Sequence, residues 1–254
     1  YPLRRQRQMC IRDSDLAAFF QNLPGNRNVD AVIEASFDFD EEKKQVLGDL
    51  TIPVVGMNAP STHGLDAGVA IDDEASMATI VRFLKSLGHK TLAYIEQPIN
   101  TTPFVCSDRL RKKGFSEASQ ACGYADSDII VMPSLSHIDA RSEQDIYSGI
   151  VAQLLSAPKQ PTAICVSVDA VAAPLLKALR RMGWRVPQDV SLVGFDDDDT
   201  ATALDLTTMH QDPAEIGRIA ARKTLALLNG ETLDEPFTVM PTSLVLRGTT
   251  ERVS

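Results

Sequence analysis

The chain has 254 residues and a formal net charge of −9, with 44% hydrophobic and 23% charged residues. This length and composition are typical of a soluble globular protein with one large α/β domain or two lobes. The negative charge argues against a nucleic-acid-binding surface on the chain itself, although a basic domain upstream remains compatible with it. Neither the four cysteines nor the four histidines show metal-ligand spacing, so we expect no metal.

Residues 1–14 carry charge but no apolar segment, and no later run approaches the roughly 18 to 20 apolar residues of a membrane span. The sequence therefore predicts a cytoplasmic protein with no membrane partner.

From residue 29 onward, short apolar runs alternate with helical periods. The predicted strands are 29–35, 52–57, 67–71, 91–96, 129–132, 162–166 and 190–195. The predicted helices are 39–49, 74–87, 109–121, 142–156, 169–182 and 213–229. Strands that alternate with helices of this length indicate βαβ units and a parallel sheet. Because the strand series restarts after a polar break at 97–103, we expect two lobes.

Residues 190–231 are the most informative segment. An apolar strand ends at Gly194 and is followed by a row of four aspartates at 196–199. The carboxyl ends of strands in open α/β sheets bind small ligands, and a carboxylate there can accept two hydroxyl hydrogen bonds. A cation site is a weaker alternative, because four consecutive acids in an extended loop cannot all face one ion.

The helix after this loop has complete start and stop signals. Asp212 is expected at the N-cap, Pro213 at the first helical position and Glu215 three residues after the cap, where it would form a capping box. Gly230 is expected to end the helix.

Seven segments resemble one known family in the same order. They are IPVVGMN at 52–58, VAIDD at 69–73, FLKSLGHKTLAYI at 83–95, RKKGF at 111–115, RVPQDVSLVGFDD at 185–197, TTMHQ at 207–211 and LVLRGTT at 244–250. With these segments the chain resembles the effector-binding core of lac-repressor-type (LacI/GalR) transcriptional regulators.

The resemblance implies an α/β fold of two doubly wound parallel-sheet lobes, like that of periplasmic binding proteins, joined by three crossovers near Gln97, Gln211 and Met240. The first lobe would contain 15–97 and 211–240, and the second 98–210 and 241–254, which would include a final strand. Residues 1–14 match nothing in the family and are either non-native or a short basic tail. The helix-turn-helix headpiece and the first strand–helix–strand unit are not recognisable, so we expect an incomplete first lobe.

The resemblance also implies ligand-binding residues. Arg111 occupies the place of the family's effector-contacting arginine, Asp196 that of its hydroxyl-accepting aspartate, and Gln211 that of the crossover glutamine. Asp72 is expected to line the first-lobe side. Asp169 follows Val168 where many relatives have Asn-Asp, so we interpret it mainly as a helix N-cap. Phe104 and His137 could form an apolar wall for a sugar.

The implied function is that of a homodimeric transcriptional regulator without catalytic activity or cofactor. It would bind a small sugar-like effector between its lobes and operator DNA through an N-terminal helix-turn-helix missing from this chain. The alternative is a periplasmic sugar-binding protein of an ABC transporter, which shares the architecture. An enzyme on a similar fold is a third, weaker possibility, since no nucleophile–base pattern is present.

Overall fold

The computed structural model describes residues 19–25, 29–37, 39–97, 107–132 and 143–253. The strands are β1 (Val32–Ala35), β2 (Val54–Met57), β3 (Ala67–Ile71), β4 (Leu92–Ile95), β5 (Ile129–Met132), β6 (Ala163–Val166), β7 (Ser191–Asp196), β8 (Thr207–His210), β9 (Phe237–Met240) and β10 (Ser243–Val245). The α-helices are α1 (Glu41–Gly48), α2 (Asp73–Ser86), α3 (Ser107–Ala121), α4 (Glu143–Ser156), α5 (Asp169–Arg181), α6 (Asp199–Leu204) and α7 (Pro213–Leu228).

The strands form two sheets. The first has the order β1-β2-β3-β9 and is parallel throughout. The second has the order β10-β8-β7-β6-β4-β5, and only the short edge strand β10 runs antiparallel to its neighbour. All the predicted strands and helices are present, and the α/β fold with parallel sheets is confirmed. The sequence pattern did not predict α6, β8, β9 or β10, although the resemblance implied a final strand in the second lobe, where β10 lies.

The first crossover lies earlier than the sequence indicated. Strand β4 is hydrogen-bonded to β5 and β6 within the six-stranded sheet, so it cannot belong to the first lobe. The chain therefore passes between the sheets through α2, between Ile71 and Leu92, and the predicted position near Gln97 was wrong. Gln97 follows the carboxyl end of β4, on the side of the six-stranded sheet.

The other two passages follow β8 and β9. After His210 the chain leaves the six-stranded sheet, and α7 packs against β2 and β3 of the four-stranded sheet. Strand β9 then pairs with β3, and after Met240 the chain returns to pair β10 with β8. The sequence-based positions Gln211 and Met240 lie at these two passages.

The six-stranded sheet is buried on both faces, as expected for parallel strands covered by helices. Along β4, Leu92 and Tyr94 point into a core shared with α2, α3 and the four-stranded sheet. The alternate residues Ala93 and Ile95 point into a second core with α4 and α5. This alternation fixes the register of β4, because a shift by one residue would exchange the two faces.

The start of α7 agrees with the sequence except for one contact. The Asp212 carboxylate caps the helix by accepting a 2.8 Å hydrogen bond from the Glu215 amide, as predicted. The Glu215 carboxylate, however, accepts from Arg218 and Arg222 and does not close a capping box. Asn229 is the C-cap residue, and Gly230 follows it with a φ of 75°.

A buried lysine joins α7 to the edge of the four-stranded sheet. The Lys223 ammonium donates to the carbonyls of Gly68, Glu235 and Pro236 and to the Thr238 hydroxyl, at 2.8 to 3.0 Å. Its three protons therefore fix β9 beside β3.

We expect Lys223→Met to lower the free energy of unfolding by about 3 kcal/mol, because it leaves several buried acceptors without a donor. Urea unfolding followed by circular dichroism measures the change. Arg222→Met, at the exposed neighbouring position, is the control and should stay within about 0.5 kcal/mol of the parent. Equal losses in both variants would contradict the clamp role of Lys223.

Candidate functional site

Arg111, on α3, is the centre of a buried polar network. Its Nε donates to Asp73 Oδ1 at 2.7 Å, and its Nη1 donates to the Ser167 carbonyl at 2.7 Å and to Asp196 Oδ1 at 3.2 Å. The guanidinium also lies over the Phe195 ring, 3.6 Å from the ring centroid. Only 3% of the residue is exposed. Protein groups thus fix the Arg111 side chain on several sides.

Close packing of α3 on α2 brings Arg111 to Asp73. At Gly114, a Cβ atom would lie 2.6 Å from the backbone of Glu74, so any larger residue would push the helices apart. Asp73 begins α2 just after β3 of the four-stranded sheet, and Asp196 ends β7 of the six-stranded sheet. Arg111 therefore connects the carboxyl ends of strands from both sheets.

Burial raises the pKa of both Asp73 and Asp196, and the nearby Arg111 charge opposes this increase. The two carboxylates and the guanidinium depend on one another, since an unpaired buried charge is costly.

Asp196 is the partly exposed carboxylate partner of Arg111. Its side chain is 28% exposed, and its Oδ1 accepts from Arg111 and, at 2.6 Å, from Gln211 Nε2. Its Oδ2 accepts from no residue in the described ranges. The backbone φ of Asp196 is 116°, an unusual conformation for a non-glycine residue, and such strain is often found at functional sites. The structure brings the predicted residues Arg111, Asp196 and Gln211 together.

Asp169 is not a helix N-cap, which corrects the sequence interpretation. Val168 is the N-cap of α5, and Asp169 is the first helical residue. The fully buried Asp169 carboxylate instead accepts from the Thr208 hydroxyl and the Asp197 amide, both at 2.7 Å, and from the Asp198 amide at 3.2 Å. Both of its oxygens are engaged in holding the loop after β7, so Asp169 positions Asp196. Its own contact with a ligand stays a prediction.

Asp72 and Asp73 differ in role, and only Asp72 was expected from the sequence to bind the ligand. Asp72 is the exposed N-cap of α2 and accepts from the Ala75 amide at 2.8 Å. The neighbouring Asp73 is buried and bonds Arg111. The predicted helix begins at residue 74, whereas the observed helix begins at Asp73. This shift of one residue makes Asp72 the N-cap and turns Asp73 toward Arg111. Ligand binding by Asp72 stays a prediction.

Asp108 is a further acidic residue that the sequence analysis missed. It lies one turn before Arg111 on α3, and its Oδ1 accepts from the Tyr94 hydroxyl at 3.0 Å. Burial raises the pKa of Asp108, while the bond from Tyr94 lowers it. The i, i+3 spacing from Arg111 is the sequence signal that could have indicated it.

Phe104 and His137 lie outside the described residues. Within the described ranges, no three His, Cys, Asp or Glu side chains are arranged to hold a metal ion. Among the described helices, none is long and apolar enough to cross a bilayer.

Asp169 should give stability a distinctive pH dependence. Burial raises its pKa to about 6, from 3.8. Between these values the folded state holds a proton that the unfolded state has released, so folding is favoured as the pH falls. We expect the parent protein to gain about 1.4 kcal/mol per pH unit relative to Asp169→Asn between about pH 6 and pH 4. Urea unfolding of both proteins at several pH values measures this difference.

Asp189→Asn is the matched control for this measurement. Asp189 is paired with Arg185 on the surface, and its pKa is lowered to about 2. Its contribution is complete above the unfolded pKa and is lost only below about pH 4. The difference between the parent and this variant should therefore be constant from pH 4 to pH 7. A constant difference for Asp169→Asn as well would show that Asp169 does not titrate as inferred.

Comparisons with known proteins identify the family. The family model for the periplasmic binding protein-like domain matches residues 81–250. The HTH-type transcriptional repressor CytR of Escherichia coli K12 is 33% identical over 186 residues, which are 72% of this chain and 51% of the repressor. Catabolite control protein A of Priestia megaterium is 28% identical over 232 residues, 89% of this chain and 66% of that protein. The chain thus spans between half and two thirds of the length of these two relatives.

A solved structure of a LacI family regulator is also similar to this chain. The LacI family transcriptional regulator CCPA of Weissella paramesenteroides, with bound sucrose, superposes with a TM-score of 0.75 at 26% identity. The match covers 95% of this chain and 84% of the other. The chain belongs to the periplasmic-binding-protein-like domain family, and its similar relatives include LacI-family regulators.

Proposed function

We propose that this chain is the effector-sensing core of a DNA-binding transcriptional regulator. The observation that carries the proposal is the constellation of Arg111, Asp196 and Gln211, in which an acid at the end of β7 keeps one oxygen available at the meeting point of two sheets. The names of the similar proteins, which are regulators and repressors, support this function. The structure bound to sucrose supports a sugar-like effector.

The mechanism follows from where the network is anchored. Asp73 belongs to the four-stranded side, Asp196 to the six-stranded side, and Gln211 to a connection between them. A ligand whose hydroxyls donate to Asp196 Oδ2 favours one arrangement of the two sheets. The population then shifts by no more than the difference in ligand affinity between the arrangements. In a cytoplasmic homodimer this change would alter the spacing of attached DNA-binding domains and hence operator affinity.

The ABC-transporter alternative rests on the shared fold alone. The regulator proposal is favoured because the similar proteins reported above are named as regulators, and because Gln211 and Asp196, which the resemblance to regulators selected, bond each other. Binding of operator DNA by the full-length protein, with release or tightening by ligand, would distinguish the two functions.

The test begins with a thermal-shift screen of sugars and nucleosides, followed by calorimetry on any compound that raises the melting temperature. We expect Asp196→Asn to weaken binding at least about tenfold, because a charge-assisted hydrogen bond contributes roughly 1.5 to 3 kcal/mol. Asp199→Asn is the control, since Asp199 is exposed at the start of α6 in the same acidic run. Unchanged affinity in Asp196→Asn would remove Asp196 from the site.

A further inference from the structure

The connection from β8 to α7, the second of the three between the sheets, is very short. Strand β8 ends at His210 and Asp212 is already the N-cap of α7, so only Gln211 separates the two elements. Helix α7 packs against β2 and β3 of the other sheet. Because strands and helices move as rigid elements, a change in the relative position of the sheets must be absorbed by backbone torsions at the residues that join them. The contacts of His210 and Gln211 therefore determine how freely this connection can change.

The side chains of His210 and Gln211 both bond back to the end of β7. Asp196 and His210 are register partners in the parallel pair of β7 and β8. Gln211 Nε2 donates to Asp196 Oδ1 at 2.6 Å, and His210 Nδ1 lies 3.0 Å from Asp197 Oδ2. Two consecutive residues at the start of the connection are thus bonded to two consecutive acids on the side of the six-stranded sheet.

Asp197 is a fixed anchor for the His210 imidazole. Arg247 donates to Asp197 Oδ1 at 2.6 Å, and the Asp197 amide donates to Asp169 Oδ2 at 2.7 Å. Arg247 is itself held by the Leu206 carbonyl, to which it donates at 2.9 Å. A carboxylate paired with a guanidinium accepts hydrogen bonds, so the imidazole is the donor and carries a proton on Nδ1.

The bond from His210 to Asp197 can open at little cost. The His210 side chain is 45% exposed, and Asp197 keeps Arg247 as a partner when the imidazole leaves. The bonds of Arg111 cannot open in this way, because its side chain is 4% exposed and an unpaired buried charge is costly. A half-exposed bond contributes little to global stability. Its effect is therefore on the local geometry of the connection.

We propose that His210 is a positioning residue for the effector site, because its Nδ1 bond to Asp197 fixes the one-residue connection and so holds the Gln211 amide against Asp196. This role rests on the proposed function, in which a ligand engages Asp196. Without the bond, the backbone around Gln211 gains freedom that a ligand must remove when it binds. The affinity for the ligand then falls although Asp196 and Gln211 are both still present.

Three substitutions of His210 separate the Nδ1 donor from the rest of the ring. By the number of bonds from Cβ, the amide nitrogen of asparagine takes the place of Nδ1, and that of glutamine takes the place of Nε2. His210→Asn therefore keeps the bond to Asp197, whereas His210→Gln and His210→Ala lose it. His63→Ala is the matched control, because His63 Nδ1 lies 2.9 Å from Glu41 Oε2 and its side chain is 52% exposed, between β2 and β3.

The first measurement needs no ligand. Hydrogen exchange of the full chain, followed by mass spectrometry, reports the amides of 207–213, which include the Gln211 amide 3.4 Å from the Asp196 carbonyl. We expect exchange there to be about threefold or more faster in His210→Ala and His210→Gln, and unchanged in His210→Asn and His63→Ala. Exchange in β4 is the reference for global unfolding and should be the same in all variants.

The second measurement is calorimetric titration of the full chain with sucrose, the ligand of the similar solved structure, and with any sugar that the thermal-shift screen identifies. The affinity should fall about threefold or more in His210→Ala and His210→Gln. In His210→Asn and His63→Ala it should stay within about twofold of the parent. A general loss of structure would not be rescued by asparagine alone, so the rescue isolates the Nδ1 bond.

The outcomes separate this role from the proposed function. Equal changes in His210→Asn and His210→Gln, or unchanged exchange of 207–213 in His210→Ala, overturn the role of the Nδ1 bond. If Asp196→Asn abolishes sugar binding while every His210 variant binds as the parent does, the effector function stands and the positioning role falls. If no sugar or nucleoside of the screen binds, the effector function fails, and the role of His210 toward an effector fails with it.

Discussion

The buried guanidinium of Arg111 is the interaction on which the rest of the site depends. Removing a charge from water costs several kcal/mol, and the cost is offset only when partners of good geometry surround it. Asp73, Asp196 and the Ser167 carbonyl supply those partners from three different elements. Because Asp73 follows β3 and Asp196 ends β7, in different sheets, the pairing of Arg111 is complete only when the sheets keep this relative position.

A supporting layer holds Asp196 where Arg111 requires it. Asp169 bonds the backbone of the loop after β7. At Gly194 a Cβ atom would lie 2.0 Å from Asp169 Oδ1, so only glycine leaves room for that carboxylate beside β7. Arg247, near the end of the chain, donates to Asp197 Oδ1 at 2.6 Å and fixes the next residue of the loop. The backbone φ is positive at Asp196 (116°) and at Asp197 (61°). The contacts from Asp169 and Arg247 hold the loop in this unfavourable conformation.

Pattern and resemblance predicted the elements that carry strong local signals, and of the residues that the resemblance selected, Arg111 and Gln211 both bond Asp196. The local pattern did not show β9 and β10, because they are short, partly exposed edge strands whose existence depends on pairing with β3 and β8. Local sequence does not encode such distant partners. The roles of Asp73 and Asp169 were not predicted for a related reason, because each role depends on where a helix begins. A shift of one residue at a helix start decides which acid caps the helix and which points into the network, and helix boundaries are the least certain part of a sequence-based assignment.

Each of the three connections between the sheets contacts the Arg111 network or helix α2. The first enters α2, whose first residue, Asp73, bonds Arg111. The second carries Gln211, which bonds Asp196. The third returns at 241–242, where the Thr242 hydroxyl lies 2.8 Å from Ser76 on the first turn of α2. Asp196 is therefore bonded directly to the second connection and, through Arg111, to the first. Since α2 also contacts the third connection, the buried network and α2 together contact every connection between the two sheets.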